Sequence, residues 1–175
     1  MADTSPFRAL DLPTATRVRG PGGAPGPFYW QQRVDYTLRA ALDTAASVLT
    51  GSGRIHYVNH SPDTLDFVWF QLDQNLAAPS SITRVLNQPP LHFAGGLVFD
   101  FTSKGFVGGI TIDRFAVGDR ALTPTVTGTM MRVDLPAPLA PGAAVDFDAA
   151  WHFPIPAYGG GRMGHKGATF YEIAQ

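Results

Sequence analysis

Between residues 33 and 42 apolar and polar positions alternate strictly. Val34, Tyr36, Leu38, Ala40 and Leu42 fall on one side, and Arg33, Asp35, Thr37 and Arg39 on the other. A period of two is the repeat of a strand, whose successive side chains point to opposite faces. The pattern therefore predicts a half-buried strand. Asp43-Thr44-Ala45-Ala46-Ser47 supplies a hairpin turn, and residues 48–59 the return strand, with Gly51 and Gly53 leaving room for a bulge or a strong coil. After the turn formers Asn59-His60-Ser61-Pro62-Asp63, residues 65–72 are apolar on both sides. That predicts a central strand covered on both faces.

Further strands are predicted at 97–102, 106–117, 125–135, 145–153 and 169–174. The stretch 145–153 alternates cleanly, with Val145, Phe147, Ala149, Trp151 and Phe153 inward and Asp146, Asp148 and His152 outward. Residues 80–86 predict one short helical turn, ended by Pro89-Pro90. Residues 136–142 read as a proline-rich connection and 158–167 as a flexible loop. The run Gly20-Pro21-Gly22-Gly23-Ala24-Pro25-Gly26-Pro27 is ill-suited to helix or ladder, since proline lacks a donor and glycine loses entropy. Residues 1–28 are thus expected to form an arm and 29–175 one β domain. Short strands, turns between them and almost no helical periodicity give an all-β chain, an antiparallel β-sandwich or saddle-shaped sheet.

Composition narrows the chemistry. The 175 residues carry a formal net charge of −1 and are 45% hydrophobic, as in a globular protein. Acids and bases are scattered, so a nucleic-acid surface is not expected. No apolar run approaches the ~20 residues of a membrane span. The first residues show no charged segment followed by an apolar stretch, so no signal peptide is expected. The absence of cysteine excludes disulfides, thiolate zinc sites and cysteine nucleophiles.

Site motifs are few. None of His56, His60, His92, His152 and His165 stands in H-E-x-x-H, which a zinc peptidase needs to hold metal and base on one helical face. Asp146, Asp148 and His152 share one strand face, read as solvated, and His56 reads as another surface strand position. Gly159-Gly160-Gly161-Arg162-Met163-Gly164 matches G-x-G-x-x-G, but a strand rather than a helix is expected after it. Asn59-His60-Ser61 fits a glycosylation acceptor and reads as a turn. Tyr29, Trp30, Phe67, Trp69 and Trp151 would suit an apolar small-molecule pocket between sheets, with Glu172 or a histidine as acid or base. The alternative use of such aromatics is an ordinary core.

Several segments in order resemble the N-terminal β domain of the bacterial aminopeptidase N-like (gluzincin) zinc metallopeptidases. They are Tyr29-Trp30-Gln31-Gln32-Arg33-Val34-Asp35-Tyr36, Leu49-Thr50-Gly51, Asn59-His60-Ser61-Pro62-Asp63-Thr64-Leu65, Trp69-Phe70-Gln71-Leu72-Asp73-Gln74-Asn75, Gly128-Thr129-Met130-Met131-Arg132-Val133 and Tyr171-Glu172-Ile173-Ala174-Gln175. The resemblance spans about residues 7–175. It implies a non-catalytic domain that walls the active-site cleft, followed by further strands and a helical domain that binds zinc. It implies no cofactor in this chain and an exported protein. It also implies that Gln175, with Glu172 beside it, contacts the N-terminal residue of a peptide substrate. The partners expected are the helical peptidase domain or, through bare strand edges, a second copy. A stand-alone binding module and a repurposed isomerase or cyclase are the rival expectations.

Overall fold

The computed structural model describes residues 14–82, 91–92, 98–99, 106–157 and 163–173. The described chain divides into two compact units, residues 1–32 and 33–175.

In the first unit, residues 16–29 fold back on themselves. Gly26 N donates to Val18 O at 2.8 Å, Gly20 N to Ala24 O at 2.8 Å and Phe28 N to Arg17 O at 3.0 Å, around a bridge between Arg19 and Pro25. The glycine–proline run thus holds a small ladder, contrary to expectation. Its prolines stand where no donor is needed, and Gly23 adopts the left-handed φ of 84° that the turn requires. The guanidinium groups of Arg17 and Arg19 cover the rings of Phe28 and Tyr29, at 3.6 and 5.1 Å from the ring centres.

The second unit is antiparallel throughout its named sheets. Its strands are β1 (Arg33–Asp43), β2 (Val48–Val58), β3 (Leu65–Gln71), β4 (Leu91–His92), β5 (Val98–Phe99), β6 (Thr111–Val117), β7 (Arg120–Ala121), β8 (Thr125–Thr127), β9 (Met130–Leu139), β10 (Ala144–Pro154), β11 (Met163–Lys166) and β12 (Phe170–Ile173). A five-stranded sheet runs β1-β2-β10-β6-β7 and a three-stranded sheet β3-β9-β8; β4–β5 and β11–β12 are two-stranded. Ile55, Phe115, Phe147 and Ala149 of the larger sheet form one buried cluster with Val68, Met131 and Val133 of the smaller, and with Leu72. Phe70 packs edge-on against Phe115 and Phe147, with ring centres 5.2 and 5.5 Å apart. This is a two-layer sandwich core, with side chains of both sheets interleaved.

Several expectations are corrected. Residues 65–71 form an edge strand rather than a central one: Phe67 and Trp69 lie 37% and 50% exposed on the outer face of the small sheet. Phe67 is shielded by Arg132, whose guanidinium sits 3.8 Å from its centre. Two of the aromatics proposed for an inter-sheet pocket, Phe67 and Trp69, therefore lie outside it, while Trp151 packs against the core. Gly51 and Gly53 mark no bulge, since β2 pairs β1 and β10 without a register shift. Gly51 instead leaves its face to the indole of Trp151, which a Cβ would strike. Residues 125–135 divide at the Gly128–Thr129 turn, and β9 continues through Pro136 and Pro138 to Leu139. These prolines fall between the Phe67–Asp134 and Leu65–Leu139 pairs, where the ladder with β3 shifts register. Residues 106–110 precede β6 rather than belonging to it.

A 3-10 helix at Asp73–Ala77 precedes the helical turn expected at 80–86, where Ile82 is helical and 83–86 lie outside the described residues. Leu72 N donates to Thr129 O at 2.7 Å, and the buried Asn75 clasps the Gly128 carbonyl and the Ile110 amide, fixing that helix. Of the strand expected at 97–102, only β5 is described. The supposed loop 158–167 contains β11; its residues 158–162 lie outside the described residues.

Candidate functional site

The outer face of the five-stranded sheet carries the charges that the sequence spreads along the chain. The register sets them in rows. Asp35 of β1 stands beside His56 of β2, and His56 beside Asp146 of β10. His56 Nδ1 lies 2.8 Å from Asp146 Oδ1. In the next row are Thr37, Arg54 and Asp148, with Arg54 Nε donating to Asp148 at 3.4 Å. The row after that holds Arg39, Ser52, Ala150 and Arg114, one from each of four neighbouring strands. Beyond it His152 Nδ1 lies 2.9 Å from Asp113 Oδ2.

A bulge gives this last arrangement. Ala150 pairs with Arg114 and Trp151 with Ile112, so Asp113 is an extra residue on β6. A bulge re-aims side chains locally. It allows consecutive Asp113 and Arg114 to serve the same outer face, which strict alternation forbids.

Between these rows lies an open depression of about 720 Å3, lined by Thr37, Arg39, Ser52, Gly53, Arg54, Arg114, Asp148, Ala149 and Ala150. Ser52, Gly53 and Ala150 form a floor of small residues, and the arginines stand around it. Three guanidinium groups against one carboxylate leave the depression positive.

The predicted site residues lie elsewhere. Glu172 sits half-buried in β12, opposite Gly164 of β11. Gln175 lies outside the described residues. Beside Glu172, Tyr171 stacks on His165 with ring centres 5.3 Å apart, and its hydroxyl donates to Thr44 O at 2.9 Å. The final hairpin is thereby held to the β1–β2 turn. Asp146, Asp148 and His152 do share the outer face, each engaged with a different partner across the sheet. Among the described residues no three His, Asp or Glu side chains stand close enough together to hold a metal ion. No described helix is long and apolar enough to cross a membrane.

Asn59 is buried in the turn predicted around it. Its amide donates to Asp63 O at 2.8 Å and Leu139 O at 3.0 Å, and its Oδ1 accepts from Ser61 Oγ at 2.6 Å. Both amide hydrogens are engaged inside the protein, so this acceptor motif serves the fold. A further feature is visible only in three dimensions. Tyr36, Leu38 and Leu42 belong to the inward face of β1, yet they are 58%, 55% and 41% exposed. The small sheet covers the centre of the large one and leaves this flank bare.

Compared with protein families, curated proteins and solved structures, the chain matches none of them.

Proposed function

We propose that the chain is the non-catalytic N-terminal β domain of an aminopeptidase N-like zinc metallopeptidase, walling the active-site cleft beside a helical zinc-binding domain. The segments quoted above carry the resemblance, and the bare apolar flank of β1 is the structural observation that favours it. Tyr36, Leu38 and Leu42 lie on the same side of the sheet as the buried Ile55 and Phe147, but have no such cover. An apolar sheet face of this kind is usually met by another layer or partner. The helical domain would supply that layer, and Gln175 and Glu172 would line the substrate's N-terminal end in the joined protein. Zinc would be held by the helical domain.

The native size of the protein in its source cells tests this reading, by immunoblot with an antibody to the domain. A band far larger than 175 residues, co-purifying with zinc-dependent aminopeptidase activity, is expected. A band of 175 residues without that activity overturns it. Self-association is the second reading, favoured by β1 being an eleven-residue edge strand. It predicts a dimer in sedimentation, converted to monomer by Leu38→Lys.

A further inference from the structure

Eight arginines lie among the described residues, and six are occupied. Arg17 and Arg19 cover aromatic rings, and Arg33, Arg54 and Arg132 hold Asp35, Asp148 and Asp134 at 2.9, 3.4 and 2.8 Å. Arg120 reaches the Pro136 carbonyl at 3.5 Å. Arg39 and Arg114 have no ion pair or hydrogen bond of this kind among the described residues, and both line the depression on the outer face. They occupy opposite ends of one row, with Ser52 and Ala150 between them.

We propose that this depression binds a dianionic tetrahedral oxyanion, phosphate or a phosphomonoester. Four neighbouring strands place the Arg39 and Arg114 backbones roughly 14 Å apart, at about 4.8 Å per strand. Two long side chains approaching from either end of that span leave room for one small anion above the small-residue floor. The guanidinium fork presents paired N–H donors that match the oxygens of a phosphate. Ser52 and Thr37 add hydroxyl donors at the floor and wall.

Charge selects the ligand. Three arginines and Asp148 give a formal +2, which a dianion neutralises and a monocarboxylate does not. Asp148 stays turned to Arg54, which orients that guanidinium and removes one carboxylate from the anion's path. The surrounding rows supply the other charged groups facing the depression: His152 with Asp113 on one side, and His56 with Asp146 on the other. Alternation with the buried Phe115 turns Arg114 to the outer face, and the bulge keeps its neighbour Asp113 on that same face, where it is spent on His152. The reading is independent of the peptidase proposal, since it rests on the outer face and not on the flank of β1.

The test is titration of the purified chain at low ionic strength with inorganic phosphate, glycerol phosphate and acetate, followed by calorimetry and amide chemical shifts. Saturable phosphate or glycerol phosphate binding is expected, with acetate at least roughly tenfold weaker, because one charge is lost. Shifts should centre on Arg39, Ser52, Arg114 and Ala150. A tighter ester than free phosphate identifies a phosphomonoester as the ligand; the reverse identifies phosphate. Arg39→Gln with Arg114→Gln should weaken binding by roughly a hundredfold, about tenfold per charge-assisted contact. Arg33→Gln, outside the depression, should leave it unchanged. No saturable binding, equal binding of acetate, shifts centred elsewhere or an indifferent double variant overturns the proposal. Because the shift map needs only the unaltered chain, misfolding of a variant does not blunt the test.

Discussion

β1 and β10 flank β2 on opposite sides, each eleven residues long and each paired with it in unbroken register. Their fates differ. On β10, Phe147 is fully buried and Phe153 nearly so; on β1, Tyr36 and Leu38 are more than half exposed. Hydrogen bonding to the same neighbour therefore does not decide burial. The second layer decides it: Met131 and Val133 share one buried cluster with Ile55, Phe115 and Phe147 of β2, β6 and β10, and β1 adds Val34 to its margin but not Tyr36 or Leu38. Ladder and packing are separable contributions, and β1 depends chiefly on the first.

The difference can be broken most sharply at its buried end. Phe147→Ala should cost about 3–5 kcal/mol, because it removes a ring that meets both Phe70 and Phe115. Urea denaturation read by tryptophan fluorescence measures it. Asn59→Ala, just past the far end of β2 from its turn, should cost about 2 kcal/mol by stranding the carbonyls of Asp63 and Leu139. The same denaturation midpoint reports it. Gly51→Ala should cost about 1–2 kcal/mol as the new methyl displaces Trp151, with a change in its emission. Leu38→Ser, on the bare flank, should change stability by less than about 0.5 kcal/mol. A cost near that of Phe147→Ala would show that the flank is covered in solution.

The faces of β1, β2 and β10 were legible because alternation survives wherever one side of a sheet is apolar. Their degree of burial was not, since nothing in residues 33–42 tells whether a second sheet extends over them. β3 was misplaced for a related reason. An apolar run on both sides reads as central, but here Phe67 meets the guanidinium of Arg132 instead of another layer. Pro136 and Pro138 suggested a connection, because a shifted register that frees proline from the ladder is set by the partner strand. The outer depression was least legible. Arg39, Ser52, Arg114 and Ala150 are far apart in sequence and meet only through the pairing of four strands, helped by a bulge that places Asp113 and Arg114 on one face.

The order β1-β2-β10-β6 has a consequence for synthesis. β2 leaves the ribosome long before β10, the strand that completes its second edge; residues 59–143 come between. At about 5–20 residues per second, that interval lasts roughly 4–17 s. For all of it, the β1–β2 hairpin presents one open row of backbone donors and acceptors to whatever chaperone or nascent neighbour is near. The Tyr171 hydroxyl that locks the β1–β2 turn through Thr44 arrives later still. The β1–β2 hairpin is thus made early and secured late, and the time to protect it from misassembly is while residues 59–143 are still being translated.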